Sequence, residues 1–236
     1  MSTCWFKNIC GKKEDICKNF EDLESCTRYN QMRIQTVKAN IPNQFPVNLQ
    51  LERPKDPTSP DWEVYKNLYK LDIKKFVEDG RQLVIESNIH GNGKTSFAIN
   101  KLLEYLTTQL GKENSGYFIN LVLTLNDIKS AIGDVNVKLP NFEDIFSNVR
   151  LLVVDDVGHK KYSEFEENWL LRMLSLRQMK GLATIYTMTS GPKNFDNKEY
   201  TLLNLIGDRL YSRIYTGSTH YFLSECDKRS WPKVGF

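Results

Sequence analysis

From residue 61 onward the apolar positions of the chain switch repeatedly between two spacings. Trp62, Tyr65, Tyr69 and Phe76 fall at helix-like intervals between Asp61 and Gly80, which predicts a helix with an acidic N-cap after Pro60 and a glycine stop. This aromatic stripe reads as core packing rather than a base-stacking platform. A β-branched apolar run at Leu83, Val84 and Ile85 predicts a strand, and from Phe97 to Leu106 apolar residues return at i, i+3 and i+4, which predicts a helix. Residues 117–122 read as a second strand, 125–132 as a helix, and Pro140 followed by Asn141 as another helix start. A third strand covers 150–158, a long helix 164–180, a β-branched strand 182–189 and a last helix 205–215. The order is the β-α-β-α alternation of an α/β fold.

Before residue 61 the pattern is different. Residues 27–40 are basic and partly helical, and Pro42, Pro46, Pro54, Pro57 and Pro60 then place five prolines in nineteen residues, which forbids a long helix or a central strand. The expected division is therefore a cysteine-rich module over 1–40, a proline-rich linker over 41–60 and one large domain over 61–236. Composition adds bounds. With 32 basic and 29 acidic residues the net charge is only +3, so charge alone does not declare a nucleic-acid binder. The start lacks a basic region followed by an apolar one, and no stretch approaches a membrane span, so the protein is expected to be cytoplasmic, with no membrane partner. Cys4, Cys10, Cys17 and Cys26 lie within a polar segment too poor in apolar residues to fold on them alone. Four thiolates on one Zn²⁺ would supply the missing stabilisation. The gaps of five, six and eight residues are not paired C-x-x-C knuckles, and an amphipathic helix pair burying the thiols beside Trp5, Phe6 and Phe20 is the other reading.

The candidate chemistry sits where the first strand meets a glycine-rich turn, Asn88, Ile89, His90, Gly91, Asn92, Gly93, Lys94, Thr95 and Ser96. A strand that ends in such a turn and opens a helix aims backbone N–H groups and the positive helix end at one point, where phosphate belongs. Lys94 would reach the β- and γ-phosphates of ATP, and the Thr95 hydroxyl would ligand Mg²⁺. Asn88 stands where the G-x-x-x-x-G-K-[ST] pattern has its first glycine, and asparagine is expected to tolerate a left-handed backbone there. About sixty residues later the third strand ends in Asp155 and Asp156. Asp155 would hold the magnesium through water and Asp156 would orient the attacking water. Arg209 and Arg213 sit four apart on the last helix. They form either a solvated basic face or a cation presented to a neighbouring subunit's γ-phosphate.

With the phosphate loop, the Asp155–Asp156 strand, Ala39-Asn40-Ile41-Pro42, and Ile206-Gly207-Asp208-Arg209 through Ser212-Arg213-Ile214, the chain resembles bacteriophage DnaC-type replication proteins. These are relatives of the bacterial helicase loaders DnaC and DnaI and of the transposition ATPase IstB. The cysteine-rich start followed by Arg28-Tyr29-Asn30-Gln31-Met32 is also similar to phage members. The resemblance implies a P-loop AAA+ core with a parallel sheet between helices and no full C-terminal lid, ATP and Mg²⁺ as ligands, and Zn²⁺ on the N-terminal cysteines. It implies an arginine finger at Arg213, acting with Lys94 and Asp156. The implied activity is ATP-dependent loading of a hexameric replicative helicase onto single-stranded DNA. ATP would drive self-association through its site, and the N-terminal module would contact the helicase. Two positions depart from the family. Thr189 stands at the γ-phosphate sensor position usually held by Asn, with Thr187 nearby as a substitute. Asp156 is one methylene shorter than the glutamate of many ATPases, which implies slow hydrolysis. An IstB-like ATPase that assembles on duplex DNA and recruits a transposase is the alternative. A nucleotide kinase would need an arginine-rich lid and an acceptor pocket, and neither is evident.

Overall fold

A computed structural model describes residues 26–42, 61–133, 138–190 and 202–224. Among these described residues five strands, β1 (Gln82–Ser87), β2 (Gly116–Asn120), β3 (Leu151–Val157), β4 (Ala183–Thr189) and β5 (Ser218–Leu223), form one sheet in the order β2-β3-β4-β1-β5. Every pairing is parallel. A sheet of this kind is covered by helices on both faces, so its strands are apolar on both sides, and Leu151 to Val154 and Ile185 to Met188 carry no exposed residue.

Side-chain alternation assigns the two faces. Leu83, Ile85, Leu151, Val153 and Ile185 meet Phe97, Leu102 and Leu106 of α4 (Lys94–Thr108), together with α1 (Thr27–Lys38), α2 (Trp62–Lys70) and α3 (Ile73–Glu78). Val84, Leu152, Val154, Tyr186 and Met188 meet the other layer, drawn from α5 (Leu121–Gly133), α6 (Phe142–Asn148), α7 (Glu164–Met179), α8 (Leu202–Ile206) and α9 (Asp208–Tyr215). Arg177 in the last turn of α7 is 1% exposed and is satisfied by Thr184 Oγ1 and the carbonyls of Phe146, Val149 and Ala183. A buried guanidinium this fully bonded ties α6, α7 and the start of β4 together.

Several local expectations give way to tertiary demands. The helix expected over 61–79 breaks after Lys70, because Asp72 turns its carboxylate onto the Lys75 N–H at 3.1 Å and starts α3. Asp61 does not cap α2 with its side chain. Its carboxylate instead accepts from the Ser224 N–H and hydroxyl, pinning the end of β5. The strand expected to reach residue 122 stops at Asn120, whose Oδ1 accepts from the Leu123 N–H and opens α5 at Leu121. The helix over 205–215 is divided at Gly207, φ 81°, between α8 and α9. Strand β5 is an addition to the expected elements. Gly80 is required, because a Cβ there would lie 2.2 Å from the Gly181 carbonyl oxygen.

Residues 27–42, assigned by the sequence to the N-terminal module and the linker, pack on the sheet. Met32, Ala39 and Ile41 are buried in the α4-side core. Gln35 Nε2 donates to Gln109 O at 2.6 Å. The Phe118 N–H donates to Ala39 O, and Asn40 Nδ2 donates to Phe118 O, so this segment covers the outer edge of β2. The expected cysteine module over 1–25, the proline-rich stretch over 43–60 and the question of a lid after residue 224 lie outside the described residues.

Candidate nucleotide site

At the carboxyl end of β1 the chain turns through 88–93 into α4, beside the ends of β3 and β4. The carboxyl ends of the strands of an open parallel sheet are where ligands bind. The loop is held from within. Ser87 Oγ accepts from the Ile89 N–H at 3.0 Å and from Asn92 Nδ2 at 2.5 Å. Tyr65 on α2 donates to Asn92 O at 3.2 Å. The left-handed turns fall at Gly91, φ 77°, and Gly93, φ 94°. Asn88 is not among the residues with positive φ, so a left-handed backbone is not the reason an asparagine is accepted there. Lys94, 6% exposed, donates to Ile89 O at 2.9 Å and Asn92 Oδ1 at 3.2 Å, folded back over the loop it belongs to. His90 is exposed, and Ser96 is half-buried in the first turn of α4.

Across the crevice Thr95 Oγ1 donates to Asp155 Oδ1 at 2.7 Å, and Thr187 Oγ1 donates to the same oxygen at 2.6 Å. Burial and then the neighbouring Asp156 raise the Asp155 pKa to about 6, against the opposing pull of Thr187, Thr95 and Lys94. Two carboxylates in a buried corner call for a cation. Asp156 has φ 61°, donates its N–H to Thr187 Oγ1 at 3.1 Å and accepts from Asn120 Nδ2 at 3.2 Å. The structure thus brings Lys94, Thr95, Asp155 and Asp156 together around one crevice. Thr189 is the cross-strand partner of Ser87 at the end of β4.

These residues fit Mg²⁺ and a triphosphate. A hydroxyl and a carboxylate of the type that hold magnesium converge from α4 and β3, and a Cβ at Gly93 would meet nothing within 4 Å, leaving the loop approachable.

No family model and no curated protein sequence matches the chain. Solved structures do. The DnaC helicase loader matches with a TM-score of 0.54 over 74% of this chain and 94% of its own, at 21% identity. Domain III of the Thermotoga maritima replication initiation protein DnaA matches with a TM-score of 0.54, 19% identity, and 74% and 67% coverage. The replication initiator DnaA bound to AMPPCP and single-stranded DNA gives 0.50 at 16% identity, over 70% of this chain and 46% of that one. The chain shares the fold of these proteins, a five-stranded parallel sheet between two layers of helices. At these identities the likeness is one of fold.

Within this fold Arg213 stands far from the loop at residues 88–93. It lines a groove of ≈ 1030 Å³ with Arg172 and Arg209, beside Gln82, Gly181 and Leu182 at the amino ends of β1 and β4. The loop is at the carboxyl ends, roughly 20 Å away along strands of six or seven residues. Gln178 brackets Arg213, accepting from its Nη1 at 3.0 Å and donating to its carbonyl at 2.7 Å. Of the four N-terminal cysteines Cys26 is described, as an exposed free thiol just before α1, while Cys4, Cys10 and Cys17 lie outside the described residues. Among the described residues no helix is long and apolar enough to cross a membrane. Sequence reasoning missed Asn120, Ser87 and Gln178. A polar residue closing an apolar strand was the available signal for the first two, and Gln178 carried none.

Proposed function

We propose that the protein is an ATP-dependent loader that places a hexameric replicative helicase on single-stranded DNA in the cytoplasm of a bacterial host. The observation that carries this reading is a phosphate loop, a magnesium-type ligand pair and a second acid in one crevice, on a fold that spans nearly the whole DnaC helicase loader. On nucleotide binding Lys94 exchanges Ile89 O and Asn92 Oδ1 for the β- and γ-phosphates, as a flexible point charge can. Thr95 and Asp155 would hold a magnesium ion, which would supply charge neutralisation for the phosphates. Asp156 orients the attacking water. Arg213 serves a neighbouring subunit, in keeping with its distance from its own loop, so ATP links subunits and hydrolysis releases them. The cysteine-rich start binds zinc and contacts the helicase.

The test is complex formation with a purified hexameric replicative helicase by gel filtration. An ATP-dependent complex is expected, lost when residues 1–25 are deleted. That boundary spares α1, which belongs to the core. No complex, together with ATP-dependent assembly on duplex DNA, would favour the transposition-type reading.

A further inference from the structure

Thr187 lies inside β4 and is 0% exposed. Its hydroxyl donates to Asp155 Oδ1 at 2.6 Å and accepts from the Asp156 N–H at 3.1 Å. The ladder between β3 and β4 is irregular at this point, pairing Val154 with Tyr186 but Val157 with Met188, and Asp156 takes φ 61° within the irregularity. A left-handed aspartate is strained, and such strain persists where the surroundings hold it. The surroundings here are Asn120 on the carboxylate and Thr187 on the N–H.

We propose that Thr187 is a positioning residue for ATP hydrolysis, its one hydroxyl holding the Asp155 carboxylate toward Thr95 and locking the left-handed turn that presents Asp156 to water. The proposal rests on the reading of this crevice as an ATPase site. In this structure the single proton of that hydroxyl goes to Asp155. Valine at 187 would preserve shape and burial. It would leave Asp155 Oδ1 with Thr95 alone and the Asp156 N–H without that acceptor, so both acids would wander from the geometry that magnesium and water require.

The experiment compares Thr187→Val and Thr187→Ser with wild type by calorimetry of ATP binding with Mg²⁺ and with EDTA, single-turnover hydrolysis and thermal melting. In Thr187→Val, ATP affinity in EDTA should stay within about threefold, the gain from Mg²⁺ should shrink several-fold, and hydrolysis should fall about 10- to 100-fold. Thr187→Ser should recover most of both. Should Thr187→Val not fold, Thr187→Ala against Thr187→Ser carries the same comparison. A variant without the hydroxyl that keeps the wild-type rate and Mg²⁺ dependence overturns the proposal. So does a serine variant as impaired as valine, because volume rather than the hydroxyl would then matter. Wild type that neither binds nor hydrolyses ATP defeats the underlying reading, and the wild-type arm shows this by itself.

Discussion

Replacing Lys94 by alanine should separate nucleotide binding from folding. The ammonium is almost fully buried, bonds Ile89 O and Asn92 Oδ1, and lies near enough to Asp155 to lower its pKa. Its removal leaves those acceptors without this donor but also spares the desolvation of a buried cation. The two effects oppose, and a net change within about 1 kcal/mol moves Tm by no more than about 4 °C in a domain of this size. With ATP bound, the same ammonium makes charge-assisted hydrogen bonds to the β- and γ-phosphates. Two of these at about 1.5–3 kcal/mol each give a loss of about 3–6 kcal/mol, or roughly 10²- to 10⁴-fold in Kd. Calorimetric titration with ATP and Mg²⁺, paired with a melting curve, reads both quantities. A folded Lys94→Ala protein that binds ATP within threefold of wild type would refute the placement of the triphosphate on residues 88–96.

Other consequences can be measured on the same preparations. Arg213→Ala should retain ATP affinity and lose hydrolysis, and mixing it with Lys94→Ala should restore part of the rate through hybrid interfaces; silence in a mixture shown to co-assemble makes the α9 arginines a solvated face. Burial pushes the Glu166 carboxyl up, but the Ser163 backbone N–H and the Lys160 and Lys129 ammoniums outweigh it and hold the pKa at about 2. Because the folded value is depressed, its contribution is complete above pH 4.5 and is lost as the pH falls toward 2. Glu166→Gln should therefore melt below wild type at neutral pH and converge with it in acid, whereas a constant gap would contradict this. Metal analysis of protein purified without chelator should give one zinc per chain, lost in the Cys4→Ser, Cys17→Ser double variant; absent zinc, or full zinc in that variant, points to packed thiols.

The parts of the fold that were legible in the sequence are those where one physical cause dominates. Leu83–Ile85, Leu151–Val154 and Ile185 are buried on both faces of a parallel sheet, and a continuous apolar run is the direct signature of that environment. The turn from β1 into α4 was legible because its glycines, lysine and threonine have fixed spacing, and Gly91 and Gly93 supply the positive φ values of that turn. Elsewhere two causes compete. Asp61 looked like a cap and is used as an anchor for Ser224, and Asp72, a less conspicuous aspartate, caps α3. Asn120 was read through as part of a strand because Leu121 and Val122 continue the apolar run, although the asparagine both opens α5 and bonds Asp156. Edge strand β5 is half-exposed and mixed in composition, Ser218, Thr219 and His220 included, so its apolar pattern is faint and its pairing with β1 carries the assignment. Arg213 was legible from the residues as a cation on a helix and from the resemblance as an arginine finger, whereas its separation from Lys94 arises from topology.

The central claim is most directly tested by delivery of a purified hexameric helicase to covered, circular single-stranded DNA bearing an annealed oligonucleotide. Displacement of the oligonucleotide reports loading. Wild-type protein with ATP should give displacement above the helicase alone, and Lys94→Ala should give none above that background. Displacement that is equal with wild type, with Lys94→Ala and without the protein would contradict an ATP-dependent loader.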